Sequence, residues 1–134
     1  MPFVIDASVA ASWAFADESH PAATMALERI RTDAALAPTL LWFELRNILI
    51  VGERRKRLTE KDTAHFLRNF ARLGVALDRS PDEADVLALA RRRKLTVYDA
   101  AYLELARREG CPLATLDLAL ARAARAEGVA FLEP

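Results

Sequence analysis

Four carboxylates draw attention by where they fall in the chain. Asp6 closes the apolar run FVID, Asp99 opens DAAYLELA, Asp117 follows PLAT by two residues, and Glu44 sits inside FELRN in a Leu-rich stretch. Each aspartate taken singly has an ordinary explanation as a helix N-cap, where a carboxylate accepts from the first free backbone N–H groups. Glu44 taken singly reads as a surface residue paired with Arg55 or another basic group. At about 100° per residue, however, it shares a helical face with Leu40, Leu41, Asn47, Ile48 and Val51, and that face is apolar. Four carboxylates gathered at one place would repel one another, and their pKa values would rise until some were protonated. A divalent cation resolves the repulsion. Carboxylate and water oxygens are the ligand set of Mg²⁺ or Mn²⁺; Zn²⁺ calls for His or Cys, and His20, His65 and Cys111 lie away from the acids in sequence.

The elements that would have to position these acids are short strands alternating with longer helices. PFVID (2–6), ALAP (35–38), VALD (75–78), PLAT (112–115) and VAFL (129–132) read as strands, the kind of apolar run that a parallel sheet buries on both faces. Between them lie helical patterns: ASVAASWAF, AATMALERIRT, a long segment opened by Pro38 (TLLWFELRNILIVGERRKR, 39–57), and TEKDTAHFLRNFARLG with Thr59 as cap and Gly74 as stop. SPDEADVLALARRR follows with Ser80 as cap and Pro81 at the first helical position, then LTVYDAAYLELARREG ended by Gly110, and DLALARAARAEG closed by Gly128. Such alternation predicts βαβ units with right-handed crossovers, hence a three-layer α/β/α domain on a parallel sheet of about five short strands. In such sheets ligands bind outside the carboxyl ends of the strands, and Asp6, Asp99 and Asp117 are each expected just past a strand. Helical side chains lean toward the helix N-terminus, so Glu44 is expected to point back toward Pro38 and the same edge.

The composition limits the alternatives. A chain of 134 residues, 53% hydrophobic and 28% charged, is expected to form a single domain over 1–134. The lone Cys111 excludes an intramolecular disulfide, and no stretch reads as a signal peptide or a membrane span, which points to a reducing, cytoplasmic setting. Lys+Arg and Asp+Glu balance at 19 each, so contact with nucleic acid would have to come from local basic runs or bound cations. RRKR (54–57) and RRRK (91–94) are such runs; they equally suit solvated helix ends that complement the macrodipole.

VIDASV, FELRN, TVYDAAYLELA and LATLDLALARAA, in this order and spacing, resemble a PIN-domain protein, and more narrowly the VapC-type toxins of toxin–antitoxin pairs. The resemblance covers essentially the whole chain. It implies a PIN-like fold and places Asp6, Glu44, Asp99 and Asp117 in the family's acidic metal-binding quartet. Ser8 and Thr115 match its small hydroxyl positions beside the first and last acids, and Asn47 the polar residue one turn after the glutamate. The activity it implies is Mg²⁺- or Mn²⁺-dependent cleavage of RNA, leaving 5′-phosphate and 3′-hydroxyl ends. The partners it implies are a cognate VapB-type antitoxin and a second copy of the chain. The cations would hold the scissile phosphate, lower the pKa of a bound water and stabilise the leaving oxygen, so no protein nucleophile is needed. Ser8 is disfavoured in that role because neither His has an evident route to it.

Apolar residues exceed what one face of the long helix can bury: Trp42, Phe43 and Ile50 extend beyond it, and Trp13 with Phe15 adds aromatic bulk to the first helix. A homodimer interface or an antitoxin groove would use that excess. Other α/β readings fit less well. A response-regulator receiver would have an acidic pair near the first strand and a Lys by the last, and a haloacid-dehalogenase-like phosphatase would have Asp where Ser8 stands. A catalytically idle PIN-like binding module is the remaining alternative.

Overall fold

The computed structural model describes residues 1–132. Four of the apolar runs become strands: β1 Phe3–Ile5, β2 Ala35–Pro38, β3 Ala76–Asp78 and β4 Leu113–Ala114. The last two residues of the expected 1–134 domain lie outside the described chain. The helices are α1 Ala7–Ser12, α2 Pro21–Arg29, α3 Leu40–Arg54, α4 Glu60–Arg72, α5 Glu83–Arg93, α6 Val97–Glu109 and α7 Leu118–Ala126.

All strand pairs are parallel, in the order β3-β2-β1-β4. The chain therefore steps outward from β1 to β2 to β3 and then returns across the sheet to the far side of β1. Right-handed crossovers require the outward steps and the return to use opposite faces. Accordingly α6 packs on β1, β2 and β4 with α5 and α7 against it, while α1 joins α2 and α3. The result is the expected three-layer α/β/α sandwich. Reversal of direction beside β1 makes the gap between the carboxyl ends of β1 and β4 the topological switch point, the place where such sheets bind ligands.

The core is built from the strands and one stripe of each covering helix. Phe3, Val4, Ile5 and Leu113 are fully buried, as are Leu41, Leu45 and Leu49 of α3 and Leu103 and Leu105 of α6. In α3 this stripe continues to Gly52, where an added Cβ would lie 2.9 Å from the Phe15 ring; only glycine lets the two meet so closely. Asn47 lies off the stripe and is exposed, contrary to the face that helical spacing assigns it.

Several boundaries differ from expectation, each for a local reason. VAFL does not form a fifth strand. Its template β4 is only two residues long, and Phe131 makes a single parallel bridge to Leu113. Pro38 ends β2 instead of opening α3. α1 stops at Ser12, and α3 stops at Arg54, after which Lys56 turns left-handed at φ 60°. α5 is capped by Asp82, whose carboxylate accepts from Asp85 N at 3.0 Å, and not by Ser80, whose own N–H donates to Asp78. α4 keeps the predicted Thr59 cap as a full capping box with Asp62.

Candidate active site

Asp6 follows β1 directly and is buried, with both carboxylate oxygens hydrogen-bonded. Its Oδ1 accepts from Ser8 Oγ at 2.6 Å and from Val9 N at 3.0 Å, and its Oδ2 accepts from Thr115 Oγ1. Ser8 Oγ in turn accepts from Leu116 N at 2.9 Å, and Thr115 Oγ1 from Asp117 N at 3.0 Å. Two hydroxyls thus stitch the turn after β4 to the turn after β1, with the Asp6 carboxylate as their common acceptor. A carboxylate offers about four lone-pair positions, so three protein donors leave room for a further partner. Asp6 caps α1 and faces the switch point at once. Burial pushes its carboxyl above the ordinary range; the bonds from Ser8, Thr115 and Val9 pull it back, and Asp117 pushes it up again.

Asp117 is the N-cap of α7, accepting through Oδ1 from Ala119 N at 2.8 Å and Leu120 N at 3.2 Å, and it is exposed. Asp99 reaches the cluster by a different route from the one expected. No strand precedes it: α5 passes to α6 through the left-handed Lys94. Nor does Asp99 cap α6, for Thr96 does so, accepting from Asp99 N at 3.0 Å. Asp99 stands in the first turn of α6, where the positive end of the helix dipole favours a carboxylate. Burial raises its pKa first, and the charges of Asp117 and Asp6 raise it further.

Glu44 comes from α3, in the other helical layer, and is half-buried. Tyr102 OH donates to its Oε1 at 2.6 Å. Burial pushes the Glu44 carboxyl up, the Tyr102 bond pulls it back, and the charges of Asp99 and Asp6 push it up again. The charged neighbours that shift Asp6, Glu44 and Asp99 are all members of the same four acids, with no Lys or Arg opposing them among the described residues. Such a set fits a hard divalent cation in donor type and in charge. Among the described residues, no three His, Cys, Asp or Glu side chains stand grouped as the ligands of one ion.

Of the auxiliary positions, Ser8 and Thr115 join the cluster and Asn47 does not. Asn47 lines a depression with Phe15, Ile48, Val51, Gly52, Arg55 and Arg57, a lining that includes none of the four acids. Tyr102 and Thr96 are the two residues at the site that sequence reading passed over. Tyr102 lies three positions after Asp99, on the same face of α6, which is the one local signal that could have marked it.

Three residues of the basic runs, Arg57, Arg92 and Arg93, are held in ion pairs. Arg92 and Arg93 both reach Glu127, at 2.8 and 2.5 Å, and Arg57 reaches Asp17 and Glu18 at 3.0 and 3.1 Å. Trp42 and Phe43 remain exposed, at 46% and 70%. No helix among the described residues is long and apolar enough to cross a membrane.

Known proteins resemble this chain in both sequence and shape. Residues 3–126 match the PIN domain family. Ribonuclease VapC3 of Pyrobaculum aerophilum is 35% identical over 124 residues, which span 90% of this chain and 93% of that protein. The crystal structure of PAE2754 from Pyrobaculum aerophilum superimposes with a TM-score of 0.74 over 93% of this chain and 86% of that one, at 22% identity, and so shares the fold. The family match spans nearly all of the described chain, including both edges of the switch point and all four acids: the chain belongs to the PIN domain family.

Proposed function

We propose that the protein is a metal-dependent endoribonuclease, the toxin of a VapBC-type toxin–antitoxin pair, and that residues 1–134 act as one PIN-like domain in the cytoplasm. The observation that carries the reading is the match of residues 3–126, all four acids included, to the PIN domain family, with the charges of Asp6, Asp99 and Asp117 falling on one another or on Glu44 beside the switch point. The name and coverage of the 35%-identical ribonuclease support RNA as the substrate.

In this reading Asp6, Glu44, Asp99 and Asp117 hold Mg²⁺ or Mn²⁺. The cation supplies Lewis-acid polarisation of the scissile phosphate and a lowered pKa for an attacking water. Ser8 and Thr115 fix the Asp6 carboxylate so that its remaining lone pair faces the crevice. Ser8 is not a nucleophile, because its hydroxyl donates to Asp6 while accepting from Leu116 N. Asn47, one turn along α3 from Glu44, meets a longer substrate in this reading. The exposed Trp42, Phe43 and Ile50 suit burial by a VapB-type antitoxin or by a second copy in a homodimer.

The test is Mn²⁺-dependent cleavage of RNA by wild type, Asp6→Asn and Asp99→Asn, with growth arrest on expression as a second readout. Loss of a ligand should lower cleavage by at least about 100-fold, the upper end of what even outer-shell changes cost. Equal cleavage by all three proteins would sink the assignment, and a folded wild type inactive on every RNA would favour the idle binding module.

A further inference from the structure

We infer that Tyr102 is a positioning residue for Glu44: its hydroxyl holds one oxygen of that carboxylate and thereby fixes the orientation of the other toward the acid cluster. The inference rests on the proposed role of Glu44 as a metal ligand.

The four acids are not equally constrained by their backbone. Asp6 and Asp117 are short side chains tied down by the free N–H groups of the helices they cap. Asp99 is rooted in the first turn of α6, whose N-terminus Thr96 secures. Glu44 has none of this. It is longer by a methylene, it sits within α3 where the backbone N–H groups bond within the helix, and its carboxylate accepts from Tyr102 OH. Fixing a glutamate costs rotamer entropy, a cost that an unrestrained ligand would meet only on binding the cation. A ligand held beforehand meets it during folding.

The hydroxyl of Tyr102 is also unexplained by packing. The residue is 1% exposed and its ring is among the largest buried side chains, so phenylalanine would fill the same space. A buried hydroxyl with no acceptor is costly, and Glu44 Oε1 at 2.6 Å satisfies it. Because Tyr102 is one turn from Asp99, α6 carries a candidate ligand and the device that orients another from α3. The bond spans 58 residues of sequence and ties the two helical layers together at the mouth of the switch point.

Mn²⁺ titration of the metal-free protein by calorimetry, without RNA, tests the inference on wild type, Tyr102→Phe, Glu44→Gln and the double variant. Tyr102→Phe should weaken Mn²⁺ binding about 10-fold, within the range for lost outer-shell partners, and should add nothing further in the Glu44→Gln background. Wild-type affinity in Glu44→Gln would remove Glu44 from the metal site and overturn the proposed quartet itself. Weakened Glu44→Gln with unchanged Tyr102→Phe, or a Tyr102→Phe effect of the same size in both backgrounds, would overturn the positioning role alone. A second measurement needs no hydroxyl deletion. The chain has two tyrosines, so 3-fluorotyrosine in a Tyr98→Phe background labels Tyr102 only. Its ¹⁹F resonance should respond to Mg²⁺ in that protein and lose the response when Glu44→Gln is added; a resonance indifferent to Mg²⁺ in both contradicts the inference.

Discussion

Two groups of carboxylates in this molecule meet opposite fates. Glu127 is clasped by Arg92 and Arg93, with Arg107 3.7 Å away, and its carboxyl is held down to about 2, chiefly by the Arg92 bond. Glu104, 1% exposed, accepts from Arg108 Nε at 2.7 Å and from Asp82 N at 3.1 Å, and Arg108 extends to Asp78 at 2.7 Å. Asp78 is likewise held below the usual carboxylate range by Arg108. Asp6, Glu44 and Asp99 are instead pushed upward by burial and by their fellow acids. One group is neutralised from within the chain, so its charge is consumed in holding helices and loops together. The other has no basic partner among the charges that shift it beside the switch point, and in the proposed function an external cation completes it.

If that contrast is right, removing charge from the two groups changes stability in opposite directions. Glu104→Ala breaks a buried pair and strands part of the Arg108 charge, and should cost about 3 kcal/mol in chemical denaturation while leaving Mn²⁺ affinity unchanged. Asp99→Asn removes a repelling charge, and should leave metal-free stability the same or slightly higher while abolishing metal-dependent cleavage. A metal-free Asp99→Asn that unfolds as readily as Glu104→Ala would erase the distinction.

The pH dependence separates the groups next. Glu127 and Asp78 have folded pKa values below their unfolded ones, so the stabilisation each gives is present above its unfolded value and is lost as pH falls through its folded one, toward about 2 for Glu127. Asp6, Glu44 and Asp99 have folded pKa values above their unfolded ones. The folded state then binds more protons, and stability of the metal-free protein should fall as pH rises through their raised pKa values. Denaturation followed across pH should therefore show a maximum on the mildly acidic side, and Mn²⁺ should flatten the decline toward neutrality. A metal-free profile that keeps rising to neutral pH would show that the quartet is already compensated.

The smallest effect belongs to the exposed pairs. Asp17 is 75% exposed where it meets Arg57, and Asp17→Ala should change stability by less than about 1 kcal/mol. A larger loss would mean that surface ion pairs contribute in this fold on the scale of the Arg108 network.

What could be read from sequence followed from how local the causes are. β1, β2, β3 and β4 came from short apolar runs, and the α4 cap from a threonine directly ahead of the helical pattern, because each is decided by near neighbours. The motifs that carry the four acids were legible as PIN-like through their order and spacing, in agreement with the family match over residues 3–126. The residues of VAFL suit a strand, but whether it pairs depends on a β4 only two residues long. Asp99 was expected after a strand, whereas a helix–helix junction delivers it to the same edge. Glu104 and Arg108 look like an ordinary surface pair at i and i+4, and only the assembled core reveals that the acid is buried. Tyr102 looks like core, and its acceptor lies 58 residues away, beyond the reach of any local pattern.

The central claim is that the switch-point acids act together as one divalent-cation site. Thermal unfolding of wild type and Asp99→Asn with and without Mn²⁺ tests it most directly, since an ion bound only by the folded state raises its melting temperature. Wild type should gain stability with rising Mn²⁺ and saturate, and Asp99→Asn should gain little or none. Equal gains in the two proteins, or none in wild type, would contradict the claim.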